Sequence, residues 1–162
     1  MNYLFNEGIA IVLFGYPVWK WLLAILITSL FYLLTTFIKN FAEKKLHTFS
    51  KKTNTNIDDY LYEVLSSVSK IFIFTSSLYV GIIFVGASPT IDGAISNIFL
   101  LVFFWQIAKW AILISKILFA KYKKDKTEQD DMHAVTAING LTALSKFIIW
   151  VIFLMLALDN LG

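Results

Sequence analysis

The chain has 162 residues, of which 58% are hydrophobic and only 15% charged, and its mean hydropathy is +0.71. A soluble domain carries roughly a quarter of its residues charged, so this composition excludes one, together with disorder, coiled coil and collagen. All 14 basic residues are Lys, Cys is absent and the net charge is +3; bidentate guanidinium chemistry, disulfides and thiolate sites are therefore excluded too.

In chain order, the first 17 residues read as an outer interfacial segment. The apolar run Ile9 to Phe14 is too short to cross a bilayer and is bracketed by Gly8, Gly15 and Pro17. The first 19 residues hold no Lys, so no secretory signal is evident. Four later runs approach the length of about 20 apolar residues that a spanning helix needs. They are Val18–Ile38, Val68–Gly86, Ile95–Ala120 and Leu141–Leu158. The expected fold is all-α, an integral membrane protein of four transmembrane helices forming two helical hairpins. Trp19 and Trp21 stand at one edge of the first run as interfacial anchors, whereas Trp105, Trp110 and Trp150 lie deeper and read as packing residues.

The connections alternate. The first holds Lys39, Lys44, Lys45, Lys51 and Lys52, and the third holds Lys121, Lys123, Lys124 and Lys126. The second, Ala87 to Ala94, has no Lys, nor do the two ends. The excess of Lys in cytoplasmic loops puts both termini outside. The two basic loops also resemble each other. Lys51-Lys52 with Asp58-Asp59 recurs 72 residues on as Lys123-Lys124 with Asp130-Asp131, and Ser69-Lys70 recurs 76 residues on as Ser145-Lys146. An internal repeat of one span–loop–span unit is one reading; chance matching in a biased sequence is the other.

Paired carboxylates invite an acid–base or metal role, but helix initiation accounts for them. Thr55 or Asn56 caps a helix whose first turn holds Asp58 and Asp59, where acidic side chains favour the dipole. Thr127, Glu128, Asp130 and Asp131 repeat the arrangement. His47 and His133 are single residues without a ligand partner at metal spacing.

Lysines in or beside spans are functional candidates. Helical side chains lean toward the N-terminus, so Lys70 and Lys146 snorkel toward the inner headgroups. Lys116 is near that interface as well. These three read as contacts to anionic lipid. Lys109 leans the other way and lies about 10 Å deeper than Lys116. No Asp or Glu lies inside the spans to pair with it. It faces a lipid phosphate or water in a groove between helices, or it reaches the interface by long snorkelling. The spans lack a buried acid, a phosphate loop or a Ser/His pair. Small-xxx-small packing motifs look scarce and no GxxxG occurs. Neither enzyme nor cofactor chemistry is expected, and nucleic acid is not a partner.

Two stretches carry a resemblance. Lys51-Lys52-Thr53-Asn54-Thr55-Asn56-Ile57-Asp58-Asp59 resembles a basic, Thr-containing run ending in Asp-Asp before an extra span. Leu141-Thr142-Ala143-Leu144-Ser145-Lys146 through Ala157-Leu158-Asp159-Asn160-Leu161-Gly162 resembles the helix directly before a pore helix. Both are similar to the bacterial small-conductance mechanosensitive channel (MscS) family, in its longer members with extra N-terminal membrane helices. The resemblance covers about Lys51 to Gly162. It implies that residues 18–86 are the added helix pair and that 87–162 are the first two core helices, which sense tension. It further implies an inner-membrane homoheptamer releasing ions and small osmolytes under hypo-osmotic stress. The Gly/Ala-rich pore helix and the cytoplasmic domain would follow Gly162, so this stretch alone should not conduct. The rival reading is a small non-conducting membrane protein with an assembly or regulatory role. A small transporter is the third, weakened by the missing acid.

Overall fold

The computed structural model describes residues 12–13, 16–50, 57–86, 88–128 and 132–161. A two-residue hairpin, β1 (Val12–Leu13) with β2 (Tyr16–Pro17), precedes five helices. These are α1 (Val18–Ser50), α2 (Ile57–Ser66), α3 (Lys70–Val85), α4 (Pro89–Glu128) and α5 (Met132–Leu161). The principal contacts run α1 to α3, α3 to α4 and α4 to α5, with α2 laid against α1 and touching α4. The helices thus form a row. The fold is all-α apart from the small hairpin.

Three helices, α1, α4 and α5, are long and apolar enough to cross a membrane; α2 and α3 pass that test only together, as a pair bent by 62°. The expected second span, Val68–Gly86, is therefore not one straight run. Its helical part α3 has 16 residues and is about 24 Å long, less than a hydrocarbon core of about 30 Å. The other expected boundaries widen. Helix α1 continues past Ile38 to Ser50, α4 starts at Pro89 rather than Ile95, and α5 starts at Met132 rather than Leu141. Apolar run length marks what lies in lipid, whereas hydrogen bonding carries a helix beyond it.

The early start of α4 has a local cause. Gly86 ends α3 in the left-handed region (φ 59°, ψ 60°), its N–H donating to the Ile83 carbonyl. Two residues on, the Ser88 hydroxyl accepts from Ile91 N–H at 3.4 Å. Pro89 takes the first helical position, where a missing N–H costs nothing. Asp92 occupies the first turn, favourable to the dipole.

The supposed repeat divides here. Ser69 caps α3, accepting from Phe72 N–H at 3.2 Å, whereas Ser145-Lys146 lies inside unbroken α5. Thr127 and Glu128 end α4 rather than open a helix; Asp130 and Asp131 lie outside the described residues, and α5 starts just after them at Met132. Ile57 opens α2, so Asp58 and Asp59 stand in its first turn; the expected caps Thr55 and Asn56 lie outside the described residues.

Burial is inverted relative to a soluble protein. Gln106 and Ser77 are the largest fully buried side chains, and the buried apolar positions include Ala24, Ala108 and Ala157. Leu22, Leu33, Phe37, Phe84, Phe147 and Met155 are exposed. Lipid tails are as apolar as Leu, so helices gain little by hiding large apolar groups from them, and small or polar residues take the contacts. The α1–α3 crossing shows this. Ala24-xxx-Thr28 meets Ser77-xxx-Gly81, and a Cβ on Gly81 would overlap Thr28 Oγ1 and lie 2.8 Å from the Ala24 carbonyl. Small-xxx-small packing is present after all, written with Ala, Thr and Ser in place of paired Gly.

Candidate functional site: a side-chain clasp on a broken helix

A helix leaves its last four carbonyls and first four N–H groups without internal partners. The break at Ser67–Ser69 puts two such ends together, and in a membrane each unsatisfied group costs several kcal/mol. The residues here supply partners. Ser66 and Ser67 turn their hydroxyls back onto the Glu63 and Val64 carbonyls (3.0 and 2.7 Å), competing with the helical ladder and ending α2. Three side chains of α4 supply further partners.

Gln106, fully buried, spans the break with both ends of its amide. Its Oε1 accepts from Ser69 N–H at 3.0 Å, and its Nε2 donates to the Ser67 carbonyl at 3.3 Å. Lys109 Nζ donates to the same carbonyl at 3.0 Å. Trp110 Nε1 donates to the Val64 carbonyl at 3.2 Å. Positions 106, 109 and 110 share one helix face, so the three act from one side. Lys109 also does electrostatic work. The last turn of α2 has no basic residue of its own, and an ammonium at its carbonyl end complements the negative pole of the dipole.

Nζ of Lys109 lies 5.2 Å from the Trp105 ring centroid, one turn toward the N-terminus of α4, the direction in which helical side chains lean. The missing carboxylate is replaced by a main-chain carbonyl and a ring face. Lys109 and Lys116, with Ser67, Ile112 and Leu113, line an open groove of about 250 Å³. Lys116 and Lys70 are exposed and Lys146 is half-buried; only Lys109 and Lys116 share this groove. Trp19 is exposed and Trp21 half-buried beside the hairpin. Trp110 packs edge-on to Phe72, and Trp150 edge-on to Phe153.

Aromatic contacts extend the α3–α4 seam away from the break. Tyr79 stacks on Phe99 (4.6 Å, 6°) and Phe72 tilts against Phe103. The α4–α5 seam carries an apolar groove of about 140 Å³ between Ala108 and Ala111 on one side and Ile149 and Phe153 on the other. Among the described residues no group of three His, Asp or Glu is placed to hold a metal. His47 packs edge-on to Tyr62; His133 is exposed.

Sequence reasoning singled out Lys109 and read Trp110 only as packing, but missed Gln106 and the bond Trp110 donates. A signal existed: three polar donors at i, i+3 and i+4 in an apolar run, facing the Ser66-Ser67-Val68-Ser69 stretch just before the preceding span.

The fold and its apolar exterior define a multi-pass α-helical membrane protein. The chain is 25% identical over 163 aligned residues to the large-conductance mechanosensitive channel MscMJLR of Methanocaldococcus jannaschii, covering 97% of this chain and 44% of that protein. The chain thus spans less than half the length of this curated relative, and the similarity supports a relation to mechanosensitive channels in general. No protein-family profile and no solved structure matches the chain.

Proposed function

We propose that this chain is the membrane-embedded, tension-sensing part of a mechanosensitive channel of the MscS type, gating efflux of ions and small osmolytes under hypo-osmotic stress. The similarity to a mechanosensitive channel along 97% of the chain carries the reading. The row arrangement supports it: each helix presents a broad apolar face outward, so the protein–lipid boundary is long and changes in membrane area act on it directly. In this reading α2–α3 counts as the fourth crossing, both termini face outward, and the protein assembles as a homo-oligomer in the inner cell membrane. No catalytic step is assigned to it.

Anionic phospholipid is the partner that fits the Lys109–Lys116 groove, with headgroup oxygens at the two ammonium groups and an acyl chain along Ile112 and Leu113. Lys70 and Lys146 hold the same leaflet, and Trp19 and Trp21 anchor the opposite edge.

The deciding experiment is patch recording from the full-length protein in liposomes under stepped suction. Openings that rise with tension are expected; a silent membrane up to rupture would sink the reading. For orientation, a Cys at Ser88 should react with an impermeant thiol reagent from outside and one at Thr127 should not. The reverse pattern overturns the topology.

A further inference from the structure

We propose that the α2–α3 break is a two-state hinge, held bent by Gln106, Lys109 and Trp110 of α4, whose alternative is one continuous helix. Two observations carry this. First, the sequence from Ile57 to Val80 contains no Pro and no Gly, so nothing covalent forbids a helix through Ser67–Ser69. The bend of 62° is imposed by contacts, unlike a kink built on Pro. Second, both states give partners to the Ser67 carbonyl and the Ser69 N–H. In the bent state the Ser67 carbonyl takes Lys109 and Gln106, and Ser69 N–H gives to Gln106. In a straight state the same groups bond within the helix, Ser67 O to Ile71 N–H and Ser69 N–H to Leu65 O, which is the arrangement a membrane demands of any unaided segment. An intermediate angle satisfies neither, so the two end states are separated.

The clasp is also brittle. Two of its bonds are of ordinary length at 3.0 Å, and the other two, at 3.2 and 3.3 Å, lie at the upper limit of about 3.2 Å for N–H···O. All three side chains ride on one helix, so sliding α4 by a single residue, about 1.5 Å, breaks them together. The hinge therefore ties the angle of α2 to the position of α4. The proposal rests on the membrane location and not on conduction, so a protein that never opens under tension still reports on it.

The native chain has no Cys, which suits paired spin labels in the whole protein in phosphatidylcholine–phosphatidylglycerol nanodiscs. Labels at Asp59 and Phe84 measure the bend, and labels at Ile83 and Ile98 measure the outer packing of α3 on α4. In Gln106→Met the first distance should lengthen by about 5 Å, the gain from undoing a 62° bend at 1.5 Å per residue, while the second stays fixed. Trp110→Phe, which keeps the ring and removes one donor, and Lys109→Met should shift the population part of the way; they also serve if Gln106→Met does not fold. An unchanged first distance in all the folded variants overturns the proposal. So does simultaneous broadening of both distances, which would make the clasp ordinary packing.

Discussion

Helix α3 is held on its two sides by opposite means. Against α1 it relies on shape: Gly81 admits Thr28 and the Ala24 carbonyl where a methyl group would collide. Against α4 it relies on stacked and tilted rings along its length, Tyr79 on Phe99 and Phe72 on Phe103, and on hydrogen bonds from Gln106, Lys109 and Trp110 gathered at the break before its first turn. The difference follows from the solvent. Lipid offers no hydrophobic drive between helices, so association comes from close packing or from polar groups with nowhere else to go. Shape tolerates little displacement but no particular register of donors, whereas the clasp requires one register and fails outside it.

Substitutions should separate the two. The largest effect is expected from Gly81→Leu, which forces a branched side chain into the α1–α3 crossing; overpacking at a site without slack costs about 3 kcal/mol. Thermal unfolding followed by size-exclusion should show lost monodispersity, and an unaltered profile would mean that the crossing opens readily. Gln106→Leu should cost less, about 1–3 kcal/mol, because it strands Ser69 N–H and weakens the Ser67 contact. It should also leave the α1–α3 crossing at Gly81 unaffected. Lys109→Met comes next at about 1 kcal/mol, the worth of a cation at a helix carbonyl end; equal losses for Gln106→Leu and Lys109→Met would argue that charge rather than bridging holds the break. The smallest effect belongs to Lys39→Met. It removes the 3.0 Å pair with Glu43 within α1, worth under about 0.5 kcal/mol at such spacing, and should leave both seams intact.

How much of this could be read from the chain depends on which force acts at each position. Three of the spans are visible because run length reports directly on lipid. The kink in the second is not, because Ser66, Ser67 and Ser69 are tolerated within helices and only become a break when α4 supplies partners 37 to 46 positions away. Lys109 stands out for its charge. Gln106 is silent in a hydropathy scan, although it is buried more completely than any apolar side chain named in the core. The apparent repeat misled for a related reason: Ser69-Lys70 and Ser145-Lys146 share letters, but only the first has a facing Gln to take over its backbone N–H. The α1–α3 crossing escaped because Ala, Ser and Thr serve as small residues without forming a Gly pair.

The shortness of α3 has a further consequence. At about 24 Å it falls some 6 Å below a typical hydrocarbon thickness. Lipid beside it must thin, or α2 must make up the missing depth, and mismatch costs fractions of a kcal/mol per Å. A straightened α2–α3 helix would run from Ile57 to Val85, and its part beyond the acidic Asp58, Asp59 and Glu63, from Val64 to Val85, would measure about 33 Å and remove that mismatch. If α2–α3 is the proposed hinge, bilayer thickness biases it: thin membranes favour the bent segment and thick ones the extended segment, with no ligand involved.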